Sequence, residues 1–164
     1  MPLTAYAATL FLVAALPISI YVAHSDLRAM KIPNVAVYAL VGAYAVLGFF
    51  AFPFDQYLWH WLHLPIVLVI GMVLNAAGTM GAGDAKFLAA AAPMIAPADV
   101  ALLITCLAAC VLVGVIAHKI GKHTSLRNLA PNWTSWDQEN KRFPMGFPLG
   151  MTLVAYLVAV IVLR

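Results

Sequence analysis

The chain has 164 residues, 65% of them hydrophobic and 9% charged, with a mean hydropathy of +0.96. That is far too apolar for a water-soluble domain and marks an integral membrane protein. The net charge is +3, but eight of the nine Lys and Arg lie in three short polar segments between apolar runs, so they read as topology signals and no nucleic-acid partner is expected.

Apolar runs free of charge occupy residues 3–23, 35–52, 58–77, 87–96, 100–117 and 146–163. The first has no positive flank and is about as long as a full span, so a retained helix is expected there rather than a cleaved signal. Five runs reach spanning length, about 20 residues; the fourth, 87–96, is short. Charge decides whether it crosses. With six crossings, segments 24–34, 78–86 and 118–145 share one side and carry Arg28, Lys31, Lys86, Lys119, Lys122, Arg127, Lys141 and Arg142, leaving Arg164, Asp55 and Asp99 on the other. Omitting the fourth crossing would set 118–145 opposite Arg28 and Lys31, against the positive-inside rule.

The expected fold is therefore all-α: a polytopic bundle of six transmembrane helices with both termini outside. No linker, low-complexity tract or repeat divides it, and one membrane domain over 1–164 is expected, with a single sizeable loop at about 118–145. Ten residues rise only about 15 Å against a hydrocarbon core of about 30 Å, so the fourth helix must begin upstream near Gly81. Asp84 and Lys86 are then drawn into its first turns. Pro33 suits the first turn of the second helix, where its missing N–H costs nothing. Tyr57, Trp59 and Trp61 mark the outer interface of the third. Trp133 and Trp136 either rest on the membrane surface or belong to a plain polar loop.

Two acids flank spans on the inner side, Asp26 in HSDLRAMKIPN and Asp84 in GTMGAGDAKF. Taken singly, Asp26 reads as a juxtamembrane ion pair with Arg28 or a helix-end residue, and Asp84 as a helix-start residue favoured by capping and the dipole. Taken together they sit on one face of the membrane at similar depth. Two carboxyls meeting in a low-dielectric place cannot both ionise easily, so one keeps its proton and the pair offers an acid beside a base. Such a pair can activate water against a peptide carbonyl. Gly78, Gly81 and Gly83 let another backbone come close.

DLRAMKIPN followed by GAGDAK resembles the type IV prepilin peptidases, membrane aspartyl proteases of the GxGD class, and FPMGFPLG is similar to the opening of their last helix. The resemblance implies that Asp26 and Asp84 are the catalytic aspartates and that Gly81 and Gly83 are the motif glycines. Lys86, Arg28, Pro33 and Asn34 fall in the same motifs as supporting or substrate-binding residues. It further implies removal of the short basic leader of a pilin-like precursor, after a glycine, at the cytoplasmic face of the bacterial inner membrane, with no metal or other cofactor. Prepilin and the lipid bilayer are the expected partners; nothing in the sequence fixes an oligomeric state. Larger members also methylate the new N-terminus and carry paired CxxC motifs in an added segment. This chain has no CxxC and resembles the compact tight-adherence (Flp) peptidases, so proteolysis without methyl transfer is expected.

Arg28, Lys31 and Lys86 are either topogenic charges or groups that tune the aspartates and meet a substrate carboxylate. A basic leader would then lean on lipid phosphates or on Asp137 and Glu139. Two other functions share these features: a proton- or cation-coupled transporter using the same acids, and a noncatalytic secretion-system subunit. No GxSxG or HExxH is present. Cys106 and Cys110, four apart, read as packing residues, and His60 with His63 as structural or interfacial ones with no third metal ligand nearby beyond Asp55.

Overall fold

Thr4 starts the first helix, its Oγ1 accepting the N–H of Ala7 at 3.2 Å. From there α1 (Ala5–Ala29) buries Ala7, Phe11, Ala15, Ser19, Val22 and Asp26, a stripe at three- and four-residue spacing along one face. Asp26 is the last member of that stripe. Arg28, two residues on, is exposed. The helix stops at Met30, which adopts the left-handed conformation (φ 54°) and returns its N–H to Asp26 O at 2.8 Å.

The computed structural model describes residues 1–136 and 143–164. Asp137, Glu139, Lys141 and Arg142, in the loop expected at about 118–145, lie outside the described residues. After α1 come α2 (Asn34–Ala51), α3 (Phe54–Trp61), α4 (His63–Ala76), α5 (Ala82–Ala91), α6 (Val100–His123) and α7 (Gly146–Leu163), with 3₁₀ turns at Ala92–Met94, Pro97–Asp99, Ser125–Leu129 and Thr134–Trp136. No strand occurs among the described residues. The expectation of an all-α bundle holds, and five helical stretches are long and apolar enough to cross a membrane.

The short fourth crossing is α5 with its following turns. It starts at Gly81, where the length argument put it. Ten α-helical residues and one 3₁₀ turn supply about 21 Å. The chain nonetheless runs from the Asp26 end of the bundle to the opposite end, where Ala96 N donates to Tyr156 Oη at 3.3 Å. It can be short because it is inside: Ala85, Phe87, Ala89, Ala90 and Ala91 are buried. In contrast, α4 and α6 turn Ile66, Val69, Val73, Ile104, Val113 and Ile116 outward, an apolar surface suited to lipid.

The core joins α1, α2, α5 and α7 through Phe11, Leu40, Tyr44, Phe87, Met94, Leu153, Tyr156 and Leu157. Helices approach through small residues. A Cβ on Gly71 would stand 2.7 Å from Ala85 Cβ, joining α4 to α5, and one on Gly150 would stand 3.0 Å from Ser19 O, joining α7 to α1.

Several local expectations are corrected. The third run is broken at Leu62, where α3 ends and α4 begins. Pro33 caps α2 from outside its first turn. The polar segment after residue 117 is helical through His123, so the loop begins later than expected. Trp133 and Trp136 stack on each other at 5.5 Å, with His24 against the first and His118 against the second. Trp136 is buried and its Nε1 donates to Ala130 O at 2.9 Å, so it packs on α1 and α6 rather than on lipid. Of the three interfacial aromatics only Trp59 faces outward; Tyr57 and Trp61 pack on Tyr44.

The end holding both termini is tied by an acid the sequence left without a role. Asp99 takes a forked pair from Arg164, Nη2 to Oδ1 at 2.6 Å and Nη1 to Oδ2 at 2.9 Å. Its Oδ2 also accepts Leu3 N at 2.9 Å and Tyr156 Oη at 3.1 Å. Leu3 and Arg164 thus share one end, as an even number of crossings requires.

Candidate active site

At the opposite end a cavity of ≈ 750 Å³ opens between the start of α5, the end of α1 and the start of α7. That volume lies in the range of ligand sites. Asp26 and Asp84 both line it, with Asn34, Asn75, Thr79, Lys31 and Lys86 adding polar groups and Ile32, Met80 and Met145 adding apolar ones. A lining this polar admits water to the end of an otherwise apolar bundle.

Asp26 is 5% exposed. Among the described residues no cation pairs with it, and the one ion pair is Arg164 with Asp99. Of the two single readings, the ion pair with Arg28 is therefore overturned, because α1 turns the two side chains to different faces, while the helix-end position holds. Its partner is instead the first turn of α7. Gly146 N donates to Asp26 Oδ2 at 2.6 Å, and the Phe147 amide also faces the carboxyl. Glycine is required there, since a Cβ at 146 would stand 2.9 Å from Ile32 Cγ1 and 3.0 Å from Asp26 Oδ2. Pro148, in the same turn, gives up an N–H that the helix does not use.

Asp84 sits in the first turn of α5 with its carboxyl beside Gly81, so the helix-start reading is correct as far as it goes. A Cβ at 81 would stand 2.6 Å from Asp84 Oδ2, whereas one at 83 would meet Ile32 Cβ at 3.3 Å. The turn before α5 is built to hold this position. Gly78 (φ 74°) ends α4, Gly78 N and Thr79 N return to Asn75 O and Leu74 O, and Asn75 Nδ2 donates to Met80 O at 2.8 Å. The two acids stand near enough for the charge of Asp26 to act on Asp84. Two neighbouring carboxyls in a water-reached cavity can share one proton and so supply a base and an acid together.

A model of the type IV leader peptidase family matches residues 7–118, more than half of the chain and inclusive of both acids. The chain belongs to the type IV leader peptidase family. No curated protein and no solved structure matches it. Membership makes the chain a leader-peptidase-like membrane protease by family.

Six of the eight motif residues gather on the cavity of this leader peptidase relative: Asp26, Asp84, Gly81, Gly83, Lys86 and Asn34. Lys86 Nζ donates to Asn34 Oδ1 at 3.3 Å, linking α5 to α2 without touching either acid. Arg28 and Pro33 are not brought to the cavity: Arg28 faces outward, and Pro33 caps α2. Gly146 and Ile32 were missed as site residues. FPMGFPLG held the signal for Gly146, a glycine opening a helix on the same membrane face as Asp26.

Proposed function

We propose that this chain is an aspartyl endopeptidase that removes the short basic leader of a type IV or Flp-type prepilin, with Asp26 and Asp84 as its catalytic pair. The observation that supports the reading is that these two acids, 84 − 26 = 58 residues apart, line one cavity of a chain in the leader peptidase family. One carboxylate takes a proton from water as the water oxygen attacks the scissile carbonyl carbon, while the other carboxyl gives its proton to the carbonyl oxygen. The resulting gem-diol collapses with proton transfer to the departing amine, restoring the pair. The proposal includes no methyl transfer: the two cysteines are both in α6 and form no CxxC.

Arg28, Lys31 and Lys86 lie at the cavity end, and Lys119, Lys122 and Arg127 follow along or after the last turns of α6, whereas Arg164 lies at the other end. The positive-inside rule then favours a cytoplasmic cavity in the inner membrane, with the termini outside. The test is co-expression with a prepilin, followed by a gel shift and mass measurement of the new N-terminus. Asp26→Asn and Asp84→Asn each lower processing by about a thousandfold or more, with the protein still membrane-inserted. Normal processing by either variant rules the pair out.

A further inference from the structure

We propose that the first turn of α7 assigns the two roles: the Gly146 N–H holds Asp26 as the carboxylate that accepts the proton of water, which leaves Asp84 to carry the shared proton and donate it. This rests on the catalytic-pair reading above. Asp84 lies in the first turn of α5, whereas Asp26 lies in the last turn of α1 with its carboxyl at the first turn of α7, so helix dipoles give Asp26 no advantage as the carboxylate. Hydrogen bonds do. Asp26 receives Gly146 N at 2.6 Å, whereas the Asp84 carboxyl, beside the Gly81 backbone, receives no bond of that kind among the described residues. An N–H can only donate, and donation favours the ionised acceptor.

Among the described residues the surroundings add no competing hydrogen bond to either acid. Around the cavity, α5 contributes Asp84 and Lys86, the turn after α1 contributes Lys31, α2 and α4 contribute only the neutral Asn34 and Asn75, and α7 contributes amides. On α1 itself, Arg28 is exposed and His24 is turned to Trp133. Lys86 is held on Asn34, not on Asp84. In the step itself Asp26 takes one hydrogen of water, and the water oxygen bonds the carbonyl carbon. The carbonyl oxygen then takes the proton of Asp84. On collapse Asp26 passes its proton to the departing nitrogen and a gem-diol hydroxyl returns one to Asp84, so both begin the next cycle as before. Gly146 is a positioning residue in this scheme, acting through Asp26.

The experiment replaces the amide of Gly146 by an ester, using glycolic acid in cell-free synthesis of the full chain into lipid nanodiscs, and measures kcat/KM for a prepilin across pH. Removing the donor destabilises the Asp26 carboxylate and raises its pKa. Because the base must be ionised, the acidic limb of the profile moves to higher pH, by about one unit, while the basic limb stays. Movement of the basic limb alone would make Asp26 the acid and overturn the assignment. Unmoved limbs would reduce Gly146 to packing and overturn it too. Should the ester not insert, Gly146→Ala reads the same limb with a smaller shift, because its Cβ would stand 3.0 Å from Asp26 Oδ2 and move the carboxyl a few tenths of an ångström against the amide. Unmoved limbs with both Asn variants inactive sink this assignment alone, whereas an active Asn variant sinks the pair itself.

Discussion

Gly81→Ala separates a role in the site from a role in the fold. The new methyl carbon would stand 2.6 Å from Asp84 Oδ2, against 3.4 Å for the start of ordinary contact, a deficit of 3.4 − 2.6 = 0.8 Å. The backbone does not resist the change, since Gly81 has φ −69° and ψ 143°, which any residue adopts. The clash is with the free end of a rotatable side chain, so Asp84 swings away from the start of α5, at about 1 kcal/mol or less. Restricting the unfolded chain returns about as much. Stability therefore stays level while the carboxyl moves by most of an ångström, which costs about 30- to 100-fold in turnover. The assay is leader removal from a purified prepilin in detergent, alongside thermal melting of the variant. Gly83→Ala is the control: its Cβ would meet Ile32 Cβ at 3.3 Å, an adjustment of a few tenths of an ångström, and its rate should fall only a few-fold. A Gly81→Ala enzyme within threefold of wild type, equally stable, would refute the argument that Gly81 sets the position of Asp84.

Two further substitutions probe the fold. Gly71→Ala places a Cβ 2.7 Å from Ala85 Cβ and 3.2 Å from its Cα; backbone cannot swing aside, so α4 and α5 part and stability falls by about 1–3 kcal/mol, read from unfolding in mixed micelles. Asp99→Asn weakens the fork from Arg164 and lowers stability by about 1–3 kcal/mol. Cleavage measured well below its melting temperature is unchanged, because Asp99 lies at the opposite end from the cavity.

The spans were legible because membrane hydropathy is a local property: α7 occupies the expected 146–163, and α5 begins at the glycine that the length argument required. Helix ends were less so. The first and fifth runs continue as helix through His24, Asp26 and Arg28 and through Lys119 to His123, since a charge stops a hydrophobic run without stopping a helix. Long-range partners were not legible at all. Gly146 meets Asp26 across 120 residues and Arg164 meets Asp99 across 65, and no window of sequence contains both members of either pair.

Charge proximity in sequence pointed the wrong way for the acids, and the physical reason separates them by role. Asp26 has Arg28 two residues away, yet the helix turns that cation outward and leaves the carboxyl buried on neutral amides. Asp99 has no cation near it in sequence, yet it is saturated by a guanidinium fork, a backbone N–H and a tyrosine hydroxyl. A carboxylate with every acceptor position filled by a charged fork is poor at taking or giving a proton. One held by backbone amides beside a second carboxyl, in a cavity polar enough for water, keeps its proton exchangeable. Of the three aspartates that the fold draws in from its ends, Asp99 therefore belongs to the scaffold, and Asp26 with Asp84 supply the proposed acid–base pair.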